Sequence, residues 1–160
     1  MATQSESLCF TEASPIAAEV ARGVTRLFCR QDLFAVCEMP LPNGRRADLM
    51  AIDGKGGFTI VEIKVAKSDL VGDGKWTDYL DYCDRFFWAV PPHLAHFLEE
   101  ERFLPENAGL IVADPYDAAV VRQAADTALS VPYIDAILFL LGISRDEVEA
   151  ADRTDPSVAP

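Results

Sequence analysis

Three charged residues interrupt two apolar stretches of the chain at positions where core residues are expected. Asp48 lies in the first stretch, and Glu62 and Lys64 lie in the second. Two carboxylates that face each other repel, whereas a hard divalent cation such as Mg²⁺ held by both would convert the repulsion into attraction. The residue types therefore indicate a metal site. The alternative is a charged patch at the end of a sheet, balanced by Arg46 and Lys64.

A glycine-rich turn lies between the two stretches. Both stretches are rich in Ile, Val, Phe and Leu, and they flank the sequence Gly-Lys-Gly-Gly at residues 54–57. This pattern is typical of a β-hairpin, and it predicts strands near residues 45–53 and 57–65. Side chains alternate along a strand, so Glu62 and Lys64 share one face of the second strand.

The loop length decides whether the two carboxylates lie on the same face. If residues 54–56 form a three-residue loop, Ile52 pairs with Phe58 and Asp48 pairs with Glu62. Apolar residues then face each other near the turn, and the charges gather at the far end. A two- or four-residue loop without a bulge would place the carboxylates on opposite faces. We predict the three-residue register because it alone makes the apolar pattern self-consistent.

The motif resembles a known family. Asp48, followed by Glu62-Ile63-Lys64 on the next strand, is similar to the D…(D/E)xK signature of the PD-(D/E)XK nuclease superfamily. Together with the Lys-Trp…Tyr-Leu-Asp-Tyr-Cys-Asp run of residues 75–84, it resembles the bacterial MmcB-like DNA repair family over residues 14–122. One difference is that Ala47 precedes Asp48 where the superfamily name has proline.

The resemblance implies a fold and an activity. The fold would be α/β, with a restriction-endonuclease-like core in which a mixed central β-sheet is flanked by helices. The activity would be metal-dependent hydrolysis of phosphodiester bonds in DNA during repair. Asp48 and Glu62 would hold Mg²⁺ or Mn²⁺ with the backbone carbonyl of Ile63. Lys64 would orient or deprotonate the attacking water, or stabilise charge in the transition state.

The first helix carries further candidates. Ser14-Pro15 and a stripe of apolar residues predict an amphipathic helix over residues 15–30. Glu19 on this helix is either one half of a surface ion pair or an additional catalytic carboxylate, since related nucleases place a glutamate on the first helix. Arg22 and Arg26 belong to a series that recurs every four residues. That series is either a solvated face or a stripe that contacts phosphate.

Further candidate DNA contacts lie around the hairpin. Residues 67–74 are predicted to form a loop and residues 75–84 a helix that follows the strand of Glu62. Core packing explains the aromatic residues of that helix, but some polar groups could still reach a phosphate or base. The candidate DNA-binding residues outside the first helix are Arg46, Lys67, Lys75 and Tyr79.

The charge distribution bears on nucleic-acid binding. A net charge of −12 opposes indiscriminate binding to phosphates. Residues 20–75 hold nine basic and seven acidic residues, a net charge of +2, against −14 for the rest of the chain. DNA is therefore expected to bind this window, weakly or with the help of repair-protein partners. The acidity also favours the alternative of a catalytically silent DNA-structure-binding or scaffold protein. An enzyme acting on a small phosphorylated metabolite has little support, because no glycine-rich phosphate loop is present.

Length and composition predict one domain. The 160 residues, half of them hydrophobic, suit a single α/β domain over residues 14–150 with flexible segments at 1–13 and 151–160. The sequence shows no stretch that would span a membrane and no secretory signal, so a cytoplasmic protein with reduced cysteines is expected. We also predict strands at 33–39, 85–90, 109–113 and 118–122, and a helix over 126–150.

Overall fold

The computed structural model describes residues 14–128, together with Leu138 and Gly142. Six strands form one mixed sheet in the order in which they occur in the chain, and the pairs β3–β4 and β4–β5 are parallel. The strands are β1 (Phe34–Pro40), β2 (Arg46–Ile52), β3 (Phe58–Ile63), β4 (Arg85–Val90), β5 (Gly109–Ala113) and β6 (Ala118–Arg122). Within residues 14–128, the α-helices are α1 (Pro15–Arg30) and α2 (Lys67–Gly72), and 3₁₀ helices cover Trp76–Tyr82, Pro92–Glu99 and Glu101–Phe103. The predicted α/β fold with a mixed sheet and flanking helices is confirmed.

Helix α1 covers one face of the sheet. The Ser14 hydroxyl accepts a hydrogen bond of 3.2 Å from the backbone N–H of Ala17, and a proline occupies the first turn, so the helix begins where the sequence predicts. Its buried stripe, including Val20 and Val24, packs in one cluster with residues such as Leu49 and Val61 of the sheet. Leu49 and Ala51 of β2 and Val61 and Ile63 of β3 therefore face α1.

An aromatic layer covers the opposite face. Trp76, Phe86 and Trp88 are buried with ring centroids 5.1–5.2 Å apart. The helix predicted over 75–84 is a 3₁₀ helix rather than an α-helix. Its buried residues Trp76, Tyr79 and Tyr82 are spaced by three, which is the repeat of a 3₁₀ helix. The prediction of a loop over 67–74 is wrong for α2, whose Leu70 is buried and anchors this short helix to the core.

The hairpin of β2 and β3 has the predicted register. Ile52 pairs with Phe58, and the backbone N–H of Asp53 donates to the carbonyl of Gly57 at 3.0 Å, which closes a three-residue loop. Gly56 has a φ angle of 81°, a left-handed conformation that glycine adopts without a steric penalty. The three-residue loop is therefore confirmed.

Some expectations fall outside the described residues or fail. The terminal segments 1–13 and 151–160 and most of the helix predicted over 126–150 lie outside them. Within that helix prediction, residues 126–128 have no regular structure, Leu138 is helical and Gly142 lies in a turn. Cys37 is disulfide-bonded, so the expectation of reduced thiols is wrong there, because the spacing of cysteines along the chain does not show which of them meet in the fold. Cys29 and Cys83 are free thiols. In the described part of the chain, every helix is too short or too polar to cross a membrane.

Candidate active site

Two carboxylates join β2 and β3 where their backbone pairing ends. The last regular pair joins Leu49 to Val61. Beyond it, the backbone N–H of Asp48 donates to Oε1 of Glu62 at 3.3 Å, and the backbone N–H of Ile63 donates to Oδ2 of Asp48 at 2.8 Å. Side-chain oxygens therefore replace backbone oxygens as acceptors at this end of the hairpin. The fold brings the two predicted carboxylates together.

Burial makes the negative charge of this pair unfavourable. Only 4% of Glu62 is exposed, and its burial together with the charge of Asp48 raises the pKa of the Glu62 carboxyl to about 8. Burial also raises the pKa of Asp48, although the hydrogen bond from Ile63 and the charge of Lys64 oppose the rise. Without a cation between them, both carboxylates hold a proton more readily than exposed carboxylates do.

Lys64 lies beside the pair but has a second partner. Its Nζ atom is 2.7 Å from Oδ2 of Asp73 and 3.7 Å from Oε2 of Glu62. Burial lowers the pKa of the ammonium, but the hydrogen bond that the ammonium donates to Asp73 and the charges of the surrounding carboxylates outweigh this effect, so the pKa of Lys64 rises. Lys64 is thus held as a cation. Sequence reasoning missed Asp73, because it lies in the segment assigned to a loop.

These groups open onto a cleft of about 1090 Å³. The Tyr79 hydroxyl lies at its wall and donates a hydrogen bond of 3.1 Å to the carbonyl of Arg46. Arg45 also lines the cleft and was not predicted; its guanidinium pairs with Asp78 at 3.0 Å. Among the candidates named from the sequence, the residues that line the cleft are Arg46, Asp48, Glu62, Ile63, Lys64, Lys75 and Tyr79.

Four candidates do not line the cleft, namely Glu19, Arg22, Arg26 and Lys67. The first three belong to α1, which packs against the face of the sheet opposite to the aromatic layer. Arg26 donates instead to the carbonyl of Tyr116 at 3.0 Å, in the turn between β5 and β6. The Lys67 ammonium lies 4.6 Å from the centre of the Phe97 ring. Arg26 and Lys67 therefore contact groups other than the carboxylate pair, whereas the roles of Glu19 and Arg22 stay predictions.

The donor set limits the kind of metal that could bind. Among the described residues, no group of three or more His, Cys, Asp or Glu side chains is placed to hold a metal ion. Mg²⁺ commonly uses one or two carboxylates and keeps several waters. The pair of Asp48 and Glu62 fits that smaller requirement.

Two of the solved structures that are similar to this chain differ in how far the likeness extends. A solved structure of SPO1766, a protein of unknown function from Silicibacter pomeroyi, is 32% identical with a TM-score of 0.71, over 93% of this chain and 97% of that one. A repair endonuclease from Pyrococcus abyssi gives a TM-score of 0.41 at 17% identity, over 65% and 49% of the two chains, and it carries no further weight.

A shorter match comes from a different class of protein. Phosphoserine phosphatase from Streptomyces coelicolor is 67% identical over 33 residues, which is 21% of this chain. The match spans only 8% of the length of that phosphatase and so does not indicate its activity here. The family model described as DNA repair protein MmcB-like, in contrast, matches residues 4–143. The chain therefore belongs to the MmcB-like family of DNA repair proteins.

Proposed function

We propose that this protein is a Mg²⁺- or Mn²⁺-dependent endonuclease that hydrolyses phosphodiester bonds in DNA. The observation that carries the proposal is the convergence of Asp48, Glu62 and Lys64 at the wall of an open cleft. Membership in a DNA repair family supports DNA as the substrate. The two carboxylates alone would suit many metal enzymes, so the lysine and the family together favour nuclease chemistry.

The carboxylate pair is suited to hold one hard cation. Asp48 and Glu62 come from neighbouring strands, and the backbone hydrogen bonds at 3.3 and 2.8 Å limit the movement of both side chains. The backbone carbonyl of Ile63 is the third ligand that we propose. When bound, Mg²⁺ or Mn²⁺ supplies Lewis-acid activation of water and neutralises charge on the phosphate.

Lys64 supplies a second positive charge at the same place. Its ammonium lies 3.7 Å from Glu62, so a phosphate that is bound at the carboxylate pair would lie next to it. A preorganised cation stabilises the negative charge that develops on phosphate oxygens in the transition state. Because the pKa of Lys64 is raised, we assign the residue this electrostatic role rather than that of a general base.

The rim of the cleft provides contacts for the DNA backbone. Arg46 and Lys75 are exposed and line the cleft, and Arg45 is half-buried beside them. Arg46 pairs with Glu38 at 3.4 Å and Arg45 pairs with Asp78 at 3.0 Å, so part of their charge is already compensated. We therefore propose weak intrinsic affinity for DNA, with structured or damaged DNA or repair-protein partners supplying the selectivity.

Cleavage assays test the proposal directly. The purified protein is incubated with branched, flapped and single-stranded DNA in the presence of Mg²⁺ or Mn²⁺, and the products are resolved on a denaturing gel. We expect cleavage by the wild type and by Glu106→Gln, a control at an exposed position outside the cleft. Asp48→Ala and Glu62→Ala should each abolish it. Cleavage that survives in both variants would overturn the mechanism.

A catalytically silent DNA-structure-binding or scaffold protein is the second candidate. The observation in its favour is the net charge of −14 outside residues 20–75, which offers basic partner proteins an acidic surface. Calorimetry with Mn²⁺ separates the two candidates. Binding of Mn²⁺ without cleavage of any of the DNA substrates would favour the scaffold.

A further inference from the structure

We infer that Asp73 is a positioning residue, which holds the ammonium of Lys64 away from Glu62 and so leaves the carboxylate pair available to a cation. The inference rests on the proposed function, because it concerns the same metal site. It adds a residue outside the D…ExK motif and assigns it a role that acts through Lys64.

The distances show which partner Lys64 prefers. Its ammonium is 2.7 Å from Asp73, the length of a strong charge-assisted hydrogen bond, and 3.7 Å from Glu62, which is too long for a hydrogen bond. The side chains of Lys64 and Asp73 are each only 15% exposed. Little water is therefore present to compete for the ammonium, and the nearer carboxylate determines its position.

The Asp73 carboxylate is itself held in place. Its Oδ1 atom accepts a hydrogen bond of 3.3 Å from the backbone N–H of Lys75, while Oδ2 receives the Lys64 ammonium. The next residue, Trp76, is buried against Phe86 and Trp88. The aromatic core therefore anchors the short segment that carries Asp73.

Loss of the Asp73 charge should change the behaviour of Lys64. Without its nearest partner, the ammonium would turn to the next carboxylate, which is Glu62 at 3.7 Å. A lysine that pairs closely with Glu62 competes with a divalent cation for the same oxygens. Asp73→Asn should therefore weaken metal binding through Lys64, in addition to the small effect of removing any nearby negative charge.

A double-mutant cycle on Mn²⁺ affinity tests this relation. Calorimetry compares the full-length wild type with Asp73→Asn, Lys64→Met and the double variant. We expect Asp73→Asn to weaken Mn²⁺ binding by about tenfold, in line with coupling energies between contacting charged residues. Lys64→Met should strengthen binding, because the competing ammonium is gone. In the Lys64→Met background, Asp73→Asn should have little further effect.

Asp69 provides the matched control, because it lines the same cleft and forms no ion pair with a described residue. Asp69→Asn removes one negative charge, so it measures the purely long-range contribution, and we expect it to weaken binding much less than Asp73→Asn. Asp73→Glu keeps the charge and should restore most of the affinity. Circular dichroism verifies that each variant is folded.

The outcomes separate this inference from the proposed function. If Asp73→Asn weakens Mn²⁺ binding by the same factor in the wild type and in the Lys64→Met variant, the positioning role is wrong. The nuclease proposal would be unaffected by that result. A loss no larger than that of Asp69→Asn would have the same consequence. Absence of Mn²⁺ binding in the folded wild type would overturn the proposed function and, with it, the inference.

Discussion

The backbone N–H of Ile63 donates a hydrogen bond of 2.8 Å to the carboxylate of Asp48, at the place where regular pairing between β2 and β3 has ended. A side chain thus continues the connection that the backbone no longer makes. The bond uses only one of the two carboxylate oxygens, so it fixes the orientation of the side chain without consuming all of its acceptors. The hydrogen bond that continues the connection between β2 and β3 therefore also fixes the side chain of one candidate metal ligand, Asp48.

In the absence of metal, the stability of the protein should fall as the pH rises from about 5 to about 8. The pKa of Glu62 is raised to about 8 in the folded state from its ordinary value of 4.5, so the folded state holds a proton that the unfolded state has lost. Raising the pH through this window therefore favours unfolding. Urea denaturation at several pH values, with EDTA present, measures the effect.

Glu62→Gln is the matched variant for that experiment. Glutamine keeps the size of the side chain but does not titrate, so the dependence on pH should flatten over the same window. Equal slopes for the wild type and Glu62→Gln would show that the carboxyl of Glu62 is not responsible.

Divalent cations should reverse this dependence on pH. A cation and a proton compete for the carboxylates of Asp48 and Glu62, so Mg²⁺ or Mn²⁺ should bind more tightly as the pH rises. Binding to the folded state raises its stability by mass action. The melting temperature should therefore increase more with added Mn²⁺ at pH 8 than at pH 6, as measured by differential scanning fluorimetry. An increase of the same size in Asp48→Asn would place the ion elsewhere.

The loop of the hairpin offers a test of its register. Gly56 has a φ angle of 81°, whereas Gly54 does not adopt a positive φ, and neither has a neighbour within 4 Å of where a Cβ would be. Gly56→Ala should therefore reduce the free energy of unfolding by about 1 kcal/mol through backbone strain alone. Gly54→Ala should leave it unchanged or raise it slightly. Urea denaturation of the two variants compares them, and equal effects would contradict the three-residue loop.

Local patterns predicted the part of the site that depends on strand pairing. Alternating apolar residues and one glycine turn determine the register, and the register alone brings Asp48 and Glu62 together. Asp73 depends on something different, since it reaches Lys64 only through the path of the chain between β3 and β4. No repeating pattern in the sequence predicts how the segment between β3 and β4 runs.

Glu19 shows the limit of reasoning from a family pattern. The sequence correctly predicts the helix that carries it, and α1 begins at Pro15. The face of the sheet on which the helix packs is decided by the tertiary arrangement, and that arrangement leaves Glu19 outside the cleft. The secondary structure of α1 could therefore be predicted, but its relation to the site could not.

The two lysines named as DNA contacts should behave differently. Lys75 is exposed and lines the cleft, whereas Lys67 lies outside it with its ammonium over the ring of Phe97. Lys75→Ala should weaken binding to every DNA substrate to a similar degree and reduce the slope of log K against log salt concentration by about 1, because one phosphate contact is lost. Fluorescence anisotropy at several salt concentrations, with Asp48→Ala as the background to prevent cleavage, measures both quantities.

Lys67→Ala removes the same charge from a neighbouring position, so it is the natural control for Lys75→Ala. We expect it to leave the salt slope unchanged, because its ammonium does not face the cleft. Equal slopes for both variants and the parent would show that DNA does not enter the cleft along the side that carries Lys75. An effect of Lys67→Ala alone would instead move the DNA path towards the 3₁₀ helix Pro92–Glu99, which carries Phe97.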